Sequence, residues 1–200
     1  FKMVAVTGQL LIAIGDFDGD HRPDLAVANR GSATISVLPG REDGSFGPGT
    51  DWVAGSNPLC VVAGDFTGDS RTDLAVANSL NVTILPGRQD GTFEAARALF
   101  AGFTPGWPAV GDLNRDRLPD LVIANDYVGA GWTVMLGQGG TSFAAPQTTE
   151  NGLAPGSVEV ADFNGDGKLD IAAASLWKPG VWVALGDGDG GFQTPVAYEA

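Results

Sequence analysis

The sequence predicts an all-β protein, a propeller-type array of four four-stranded blades. Three observations carry that expectation: a turn-rich composition, a fourfold repeat of about fifty residues, and one order of short apolar runs and turns inside every repeat. Thirty Gly and twelve Pro, with abundant Val, Ala and Thr, suit short strands joined by tight turns. A hydrophobic fraction of 44% is ample for a packed core in 200 residues.

The repeat is marked by an acidic loop that begins at Asp16, Asp65, Asp112 and Asp162. A spacing of about fifty residues fits one propeller blade and is too long for a leucine-rich or ankyrin unit. The repeats run at about 10–56, 57–105, 106–155 and 156–200, and together they form a single domain.

Within a repeat, the first strand is the apolar segment that leads into the loop, at 11–14, 60–63, 109–110 and 158–160. The second strand follows the loop as Leu25-Ala26-Val27-Ala28, Leu74-Ala75-Val76-Ala77, Leu121-Val122-Ile123-Ala124 and Ile171-Ala172-Ala173-Ala174. Runs this continuous and this short read as strands buried on both faces. The third strand falls at 34–38, 81–85, 132–136 and 181–185, and each is followed by a Gly-rich turn and a Phe, namely Phe46, Phe93, Phe143 and Phe192. Asp43-Gly44 and Asp90-Gly91 mark that turn as a hairpin into the fourth strand.

Residues 1–9 align with the segment after each Phe, so they read as a surplus outer strand. The array is then a closed four-bladed ring with a displaced edge strand, a fragment of a larger propeller, or an open arc completed by other chains. An unpaired edge strand invites pairing with a neighbour, and head-to-tail pairing that fails to close gives filaments.

Side chains bearing oxygen occupy positions 1, 3, 5 and 9 of every acidic loop: Asp16, Asp18, Asp20 and Asp24; Asp65, Thr67, Asp69 and Asp73; Asp112, Asn114, Asp116 and Asp120; Asp162, Asn164, Asp166 and Asp170. Ca²⁺ is a hard cation that takes about 6 to 8 oxygen ligands, which a tight loop supplies from alternate side chains and a backbone carbonyl. The carbonyl at position 7, from Arg22, Arg71, Leu118 or Lys168, is the expected further ligand. About four Ca²⁺ per chain are therefore predicted. An EF-hand is excluded, because its twelfth position needs Glu and here holds Val27, Val76, Ile123 or Ala173. Loop one, with four Asp, is expected to bind tightest. Loop three is expected to bind weakest, since Arg115 and Arg117 place two cations near the ion.

These loops, with the preceding apolar strand and the trailing Gly-rich turn and Phe, resemble the FG-GAP or VCBS repeats of integrin α-subunit propellers and of many bacterial extracellular proteins. The resemblance covers essentially residues 1–200. It implies that the loop joins the first and second strands at one face of the propeller and binds Ca²⁺ there. Rings of that family commonly have seven blades, and this chain has four repeats.

The loops hold more than half of the 24 acidic residues, so they largely account for the net charge of −13. With only 11 Lys and Arg, the chain has no electrostatic basis for nucleic-acid binding. Its apolar runs stop far short of the roughly 20 residues that span a bilayer, so no membrane insertion is expected. Phe1-Lys2-Met3 lacks the features of a signal peptide. Cys60, the single cysteine, sits in an apolar run and reads as a buried, inert thiol.

Catalysis has little to build on. The one histidine, His21, reads as a solvated loop residue, and the paired carboxylates are spaced as cation ligands. Asp187-Gly188-Asp189-Gly190 aligns with the hairpin turns. Asn81-Val82-Thr83 is a glycosylation sequon at Asn81. The loops expected opposite the metal face carry Trp107, Tyr127, Trp177 and Lys178, which either pack between blades or meet a protein or glycan partner. The resulting expectation is a non-enzymatic, extracellular or cell-surface adhesion or structural module, capable of homo-oligomer or filament formation. Its alternatives are a carbohydrate-binding lectin and an accessory domain of a secreted enzyme.

Overall fold

The computed structural model describes residues 12–99, 101, 105–125, 131–149, 152–175 and 179–199. They form four antiparallel sheets of four strands, one sheet per repeat. The first blade is β1 (Ile12–Gly15), β2 (Asp24–Asn29), β3 (Thr34–Leu38) and β4 (Thr50–Val53). The second is β5 (Pro58–Gly64), β6 (Asp73–Asn78), β7 (Val82–Leu85) and β8 (Arg97–Leu99). The third is β9 (Pro105–Gly111), β10 (Asp120–Asn125) and β11 (Trp132–Met135), then a short ribbon β12 (Gly137–Gly139) and β13 (Ser142–Phe143), and last β14 (Gln147–Thr148). The fourth is β15 (Pro155–Ala161), β16 (Asp170–Ser175), β17 (Val181–Ala184) and β18 (Val196–Tyr198).

Every predicted strand that falls in the described residues is present. Each Gly-rich turn closes on its Phe, through Gly40 and Phe46, Gly87 and Phe93, Gly137 and Phe143, and Gly186 and Phe192. The expected surplus strand at 1–9 lies outside the described residues. Among the described residues no helix is long and apolar enough to cross a membrane.

The blades stack in chain order, β1 against β5, β5 against β9 and β9 against β15. Three apolar clusters hold them, one at each boundary. Ile35, Val37 and Phe17 meet Val61, Leu74, Val76 and Phe93 between the first and second blades. Ala75, Ile84 and Phe66 meet Leu121, Ile123 and Met135 at the next boundary. Val122, Trp132 and Leu113 meet Val158, Ile171 and Ala184 at the last. Burial at these boundaries is the main stabilising contribution, at roughly 1.5–3 kcal/mol for each fully buried large side chain. Among the described residues, no cluster or strand packing of that extent joins the fourth blade back to the first.

The expectation that every second strand is buried on both faces holds for β6 and β10 and fails at the ends of the array. β6 and β10 are buried at all six positions, whereas β2 alternates between buried and half-buried and β16 carries an exposed Ala174. The physical reason is position, because an end blade has a described neighbour on one side only. Cys60 is buried as expected, and burial pushes its thiol up to about 12.

Candidate metal centres

The four acidic loops share one backbone path. Positions 4 and 6 are left-handed in each: Gly19 and His21, Gly68 and Ser70, Arg115 and Arg117, Gly165 and Gly167, with φ between 62° and 81°. That path turns the amides inward, so the position-1 carboxylate collects them. Asp16 accepts from Gly19 and His21 at 2.7 and 2.9 Å, Asp65 from Gly68 and Ser70 at 2.7 Å each, and Asp162 from Gly165 and Gly167 at 2.7 and 2.8 Å. Asp112 accepts from Asp116 and Arg117 at 3.0 and 2.9 Å. The position-5 carboxylate takes the position-7 amide, as in Arg22 to Asp20 at 2.8 Å and Leu118 to Asp116 at 2.8 Å.

Position 9 does a different job. Asp24, Asp73, Asp120 and Asp170 are almost wholly buried, and each is bound at both oxygens by backbone amides. One oxygen holds the start of its own loop, through Phe17 at 2.8 Å, Thr67 at 2.9 Å, Leu113 at 2.7 Å or Phe163 at 3.0 Å. The other holds the turn after the third strand, through Gly40 or Gly87 at 2.6 Å, Gly137 at 2.7 Å and Gly186 at 2.9 Å. The residue is thus a latch between two turns that the chain separates by 14 to 17 residues. Those four glycines went unassigned in the sequence, although the recurring Leu-Pro-Gly or Leu-Gly after each third strand was the available signal. A Cβ at Gly40, Gly87, Gly137 or Gly186 would collide with the carbonyl oxygen of Pro23, Thr72, Pro119 or Leu169.

Among the described residues, three carboxylates converge at one place. Asp16, Asp18 and Asp24 each present an oxygen within 4.8 Å of the others. Burial, followed by the charges of Asp24, Asp20 and Asp16, raises the Asp18 carboxyl above its ordinary value, while the Asp20 amide works against that shift. An all-oxygen set under mutual repulsion suits a hard divalent cation. Loops two, three and four hold Thr67, Asn114 and Asn164 in place of Asp18, which removes the third carboxylate. Position 5 stands apart in three loops, paired to the basic residue at position 7: Asp20 to Arg22 at 2.8 Å, Asp69 to Arg71, and Asp166 to Lys168 at 3.8 Å. Burial also raises the Asp73 and Asp120 carboxyls, the latter to about 6. Asp162 moves the other way, lowered chiefly by the Gly167 amide.

The loop-and-blade pattern matches the model of the FG-GAP-like repeat three times, at residues 16–76, 65–123 and 112–173. The chain belongs to the FG-GAP-like repeat family. No curated protein matches it. Among solved structures, this FG-GAP-like chain is similar to an Agrocybe aegerita lectin, described as recognising non-reducing terminal N-acetylglucosamine. The TM-score is 0.67 and the identity 24%, over 95% of this chain and 52% of that one. It is also similar to BBS1N, solved in complex with ARL6DN, with TM-score 0.56 and 15% identity over 94% of this chain and 54% of that one. The chain therefore spans about half the length of either, and both likenesses concern the propeller fold alone.

The remaining candidates fall in several places. Arg115 does not turn toward its loop as expected. Its Nε donates to the Gly188 carbonyl of the fourth blade at 3.3 Å, because the left-handed position 4 points the side chain across the blade boundary. Trp107 was expected in a loop but lies in strand β9, 38% exposed, since pairing with β10 extends that strand back to Pro105. Tyr127, Trp177 and Lys178 lie outside the described residues. His21 is exposed, with Nδ1 3.4 Å from Asp16. Asp187 accepts the Asp189 and Gly191 amides in a hairpin turn, as its alignment implied. Asn81 is half-buried in the turn between β6 and β7, where its Oδ1 accepts from Asn78 at 3.0 Å.

Proposed function

We propose that this FG-GAP-like chain is a non-enzymatic, extracellular or cell-surface module for adhesion or structural assembly, stiffened by Ca²⁺ at its acidic loops. The observation that carries the reading is the convergence of Asp16, Asp18 and Asp24, two of them at the loop surface and the third latched into the blade. Ca²⁺ held there would neutralise the repulsion and tie the loop to the second strand. Asp18, Asp24 and the Arg22 carbonyl supply oxygens in the first loop, and the matching positions supply them in the others. A non-enzymatic role is favoured because the loop carboxylates accept backbone amides and His21, the one histidine, is exposed beside Asp16. The test is thermal unfolding with and without chelator. A transition lowered by several degrees in EDTA and restored by Ca²⁺ supports the reading, and an unchanged transition refutes it.

A second reading, a carbohydrate-binding module, draws on the fold likeness to a lectin and on the exposed Trp107. Aromatic faces stack on sugar rings. A glycan array probed with the wild-type chain and with Trp107→Ala and Trp177→Ala separates the two. Binding lost in either variant favours the lectin, and no binding favours the scaffold. The accessory domain of a secreted enzyme is the third reading, and the full gene sequence decides it.

A further inference from the structure

Loop four repeats the frame of loop one with one group exchanged. Gly19 and Gly165 both stand at φ 78°, and each donates its amide to the position-1 carboxylate, Asp16 or Asp162, at 2.7 Å. The position-3 side chain accepts the position-5 amide in both loops, from Asp20 to Asp18 at 3.1 Å and from Asp166 to Asn164 at 2.8 Å. Position 3 is the difference, a carboxylate in loop one and a carboxamide in loop four. Chemistry sets the orientation of that carboxamide, since its Nδ2 donates to the Asp166 carboxylate at 3.2 Å while its oxygen takes the Asp166 amide.

Gly165 follows this carboxamide, and the pair is reactive. By bonding to the amide two residues ahead, the Asn164 side chain folds over the Gly165 nitrogen, and Gly165 has no Cβ to obstruct approach to the Asn164 Cγ. A nucleophile tethered in the same chain closes a five-membered ring with a large proximity advantage. The Asp166 amide polarises the Asn164 carbonyl and stabilises the oxyanion that forms there. Position 4 faces solvent in all four loops, so water and base reach it. Asn114 in loop three makes the same two bonds with Asp116, at 3.1 and 2.8 Å, but the residue that follows it is Arg115, whose side chain crowds the attacking nitrogen. Thr67 in loop two has no carboxamide. The chain's other Asn-Gly pair starts at Asn151, which lies outside the described residues.

We propose that Asn164 is a self-modifying site, whose conversion to aspartate gives loop four the carboxylate set of loop one. The Gly165 N–H proton passes along its bond to the Asp162 carboxylate and on to solvent base, and the nitrogen bonds to Asn164 Cγ. The Cγ–Nδ2 bond breaks, and the departing group takes a proton from water to leave as ammonia. Water then opens the cyclic imide. Cleavage between the nitrogen and Cγ gives aspartate at 164, and cleavage between the nitrogen and the backbone carbonyl carbon gives isoaspartate. One water enters and one ammonia leaves, with no change of oxidation state. Aspartate at 164 stands between Asp162 and Asp170 as Asp18 stands between Asp16 and Asp24. The conversion stands on the loop geometry, whereas its effect on a cation rests on the Ca²⁺ reading of the loops.

Peptide mapping by mass spectrometry tests the conversion, on the 200-residue chain aged in chelator and heavy-oxygen water at neutral and at alkaline pH. Residue 164 is expected to gain heavy oxygen, faster at alkaline pH, while Asn114 keeps its amide over the same period. Asn164→Gln, whose longer side chain must close a larger ring, is expected to gain none. An amide retained at 164, equal conversion at Asn114, or isoaspartate as the sole product would each overturn the proposal. Conversion confined to chain unfolded in urea would overturn it too, because the folded loop would then protect the amide. Calorimetric titration of Ca²⁺ into Asn164→Asp and wild type tests the consequence. A site about tenfold tighter is expected in the variant, because affinity rises with the charge of the ligand set. Wild type that binds Ca²⁺ beside a variant that binds no more tightly would overturn the gain. Wild type that binds none would overturn the Ca²⁺ reading, and the heavy-oxygen result judges the conversion by itself.

Discussion

Asp24 accepts the Gly40 amide at 2.6 Å, so the residue that ends the first acidic loop also anchors the turn after the third strand. Its second oxygen holds Phe17, the aromatic that crosses to the next blade. The first three loops therefore couple three things: the carboxylates at the surface, the hairpin of their own blade and the contact with the following one.

Asp73→Asn breaks that latch with little change in size. An amide oxygen can serve one of the two amides, and its NH₂ then faces the other donor within a buried site. A buried donor left unmade costs about 1–3 kcal/mol. The expected loss is about 1–3 kcal/mol, read as a fall in the urea midpoint at constant slope. A loss below about 0.5 kcal/mol contradicts the latch.

Gly87→Ala tests the same latch from its other side. The new Cβ meets the Thr72 carbonyl, which Asp73 and the turn hold in place. Backbone must move, at about 1–3 kcal/mol. Gly44→Ala is a poor control because φ there is +78°, so Gly31→Ala, with open space around it, serves instead and is expected to change stability by less than about 0.5 kcal/mol.

Stability should depend on pH in opposite senses with and without Ca²⁺. In chelator, the folded Asp120 carboxyl is raised to about 6, above its unfolded value of about 3.9. The folded state then holds the proton more tightly, so this contribution is complete below about pH 4 and is lost as pH rises through about 6. Asp18 and Asp73 act in the same direction. The melting temperature in EDTA is expected to rise as pH falls from 7 to 5. In Ca²⁺ it is expected to fall over the same window, because protons compete for the ligands. Parallel trends in the two buffers contradict the assignment.

Arg117→Gly should stabilise the third loop. Arg117 sits at φ 73°, a left-handed conformation that costs a residue with a Cβ roughly 1 kcal/mol relative to Gly. A gain of about 0.5–1 kcal/mol is expected from chemical denaturation. Arg115→Gly is expected to gain less, since it also loses the bond to the Gly188 carbonyl.

Much of this was legible in the sequence, for identifiable reasons. The fourfold acidic loop marked blade number and strand order, because Asp stands at positions 1, 5 and 9 of every copy and the position-1 carboxylate collects the inward-turned amides. The latch was not legible. Position 9 looks like one more ligand when read by spacing, and only burial and amide partners in two separate turns distinguish Asp120 from Asp112. The difference between Phe163, 51% exposed, and Phe17, 3% exposed, was hidden for a related reason, since the two share one repeat position and only Phe17 has a described blade beside it. Trp107 was misplaced because the apolar run that marks the first strand covers only 109–110, whereas β9 runs from Pro105 to Gly111 and pairs with β10 through both Pro105 and Pro108.

The central claim is that the acidic loops bind Ca²⁺ and that Asp16, Asp18 and Asp24 form the strongest of these sites. Calorimetric titration of Ca²⁺ into chelator-stripped protein tests it most directly, with Asp18→Ala beside the wild type. The account predicts saturable binding of up to four ions, with the tightest class lost in Asp18→Ala while the protein remains folded. Absence of binding at millimolar Ca²⁺, or an isotherm unchanged by Asp18→Ala, would contradict it.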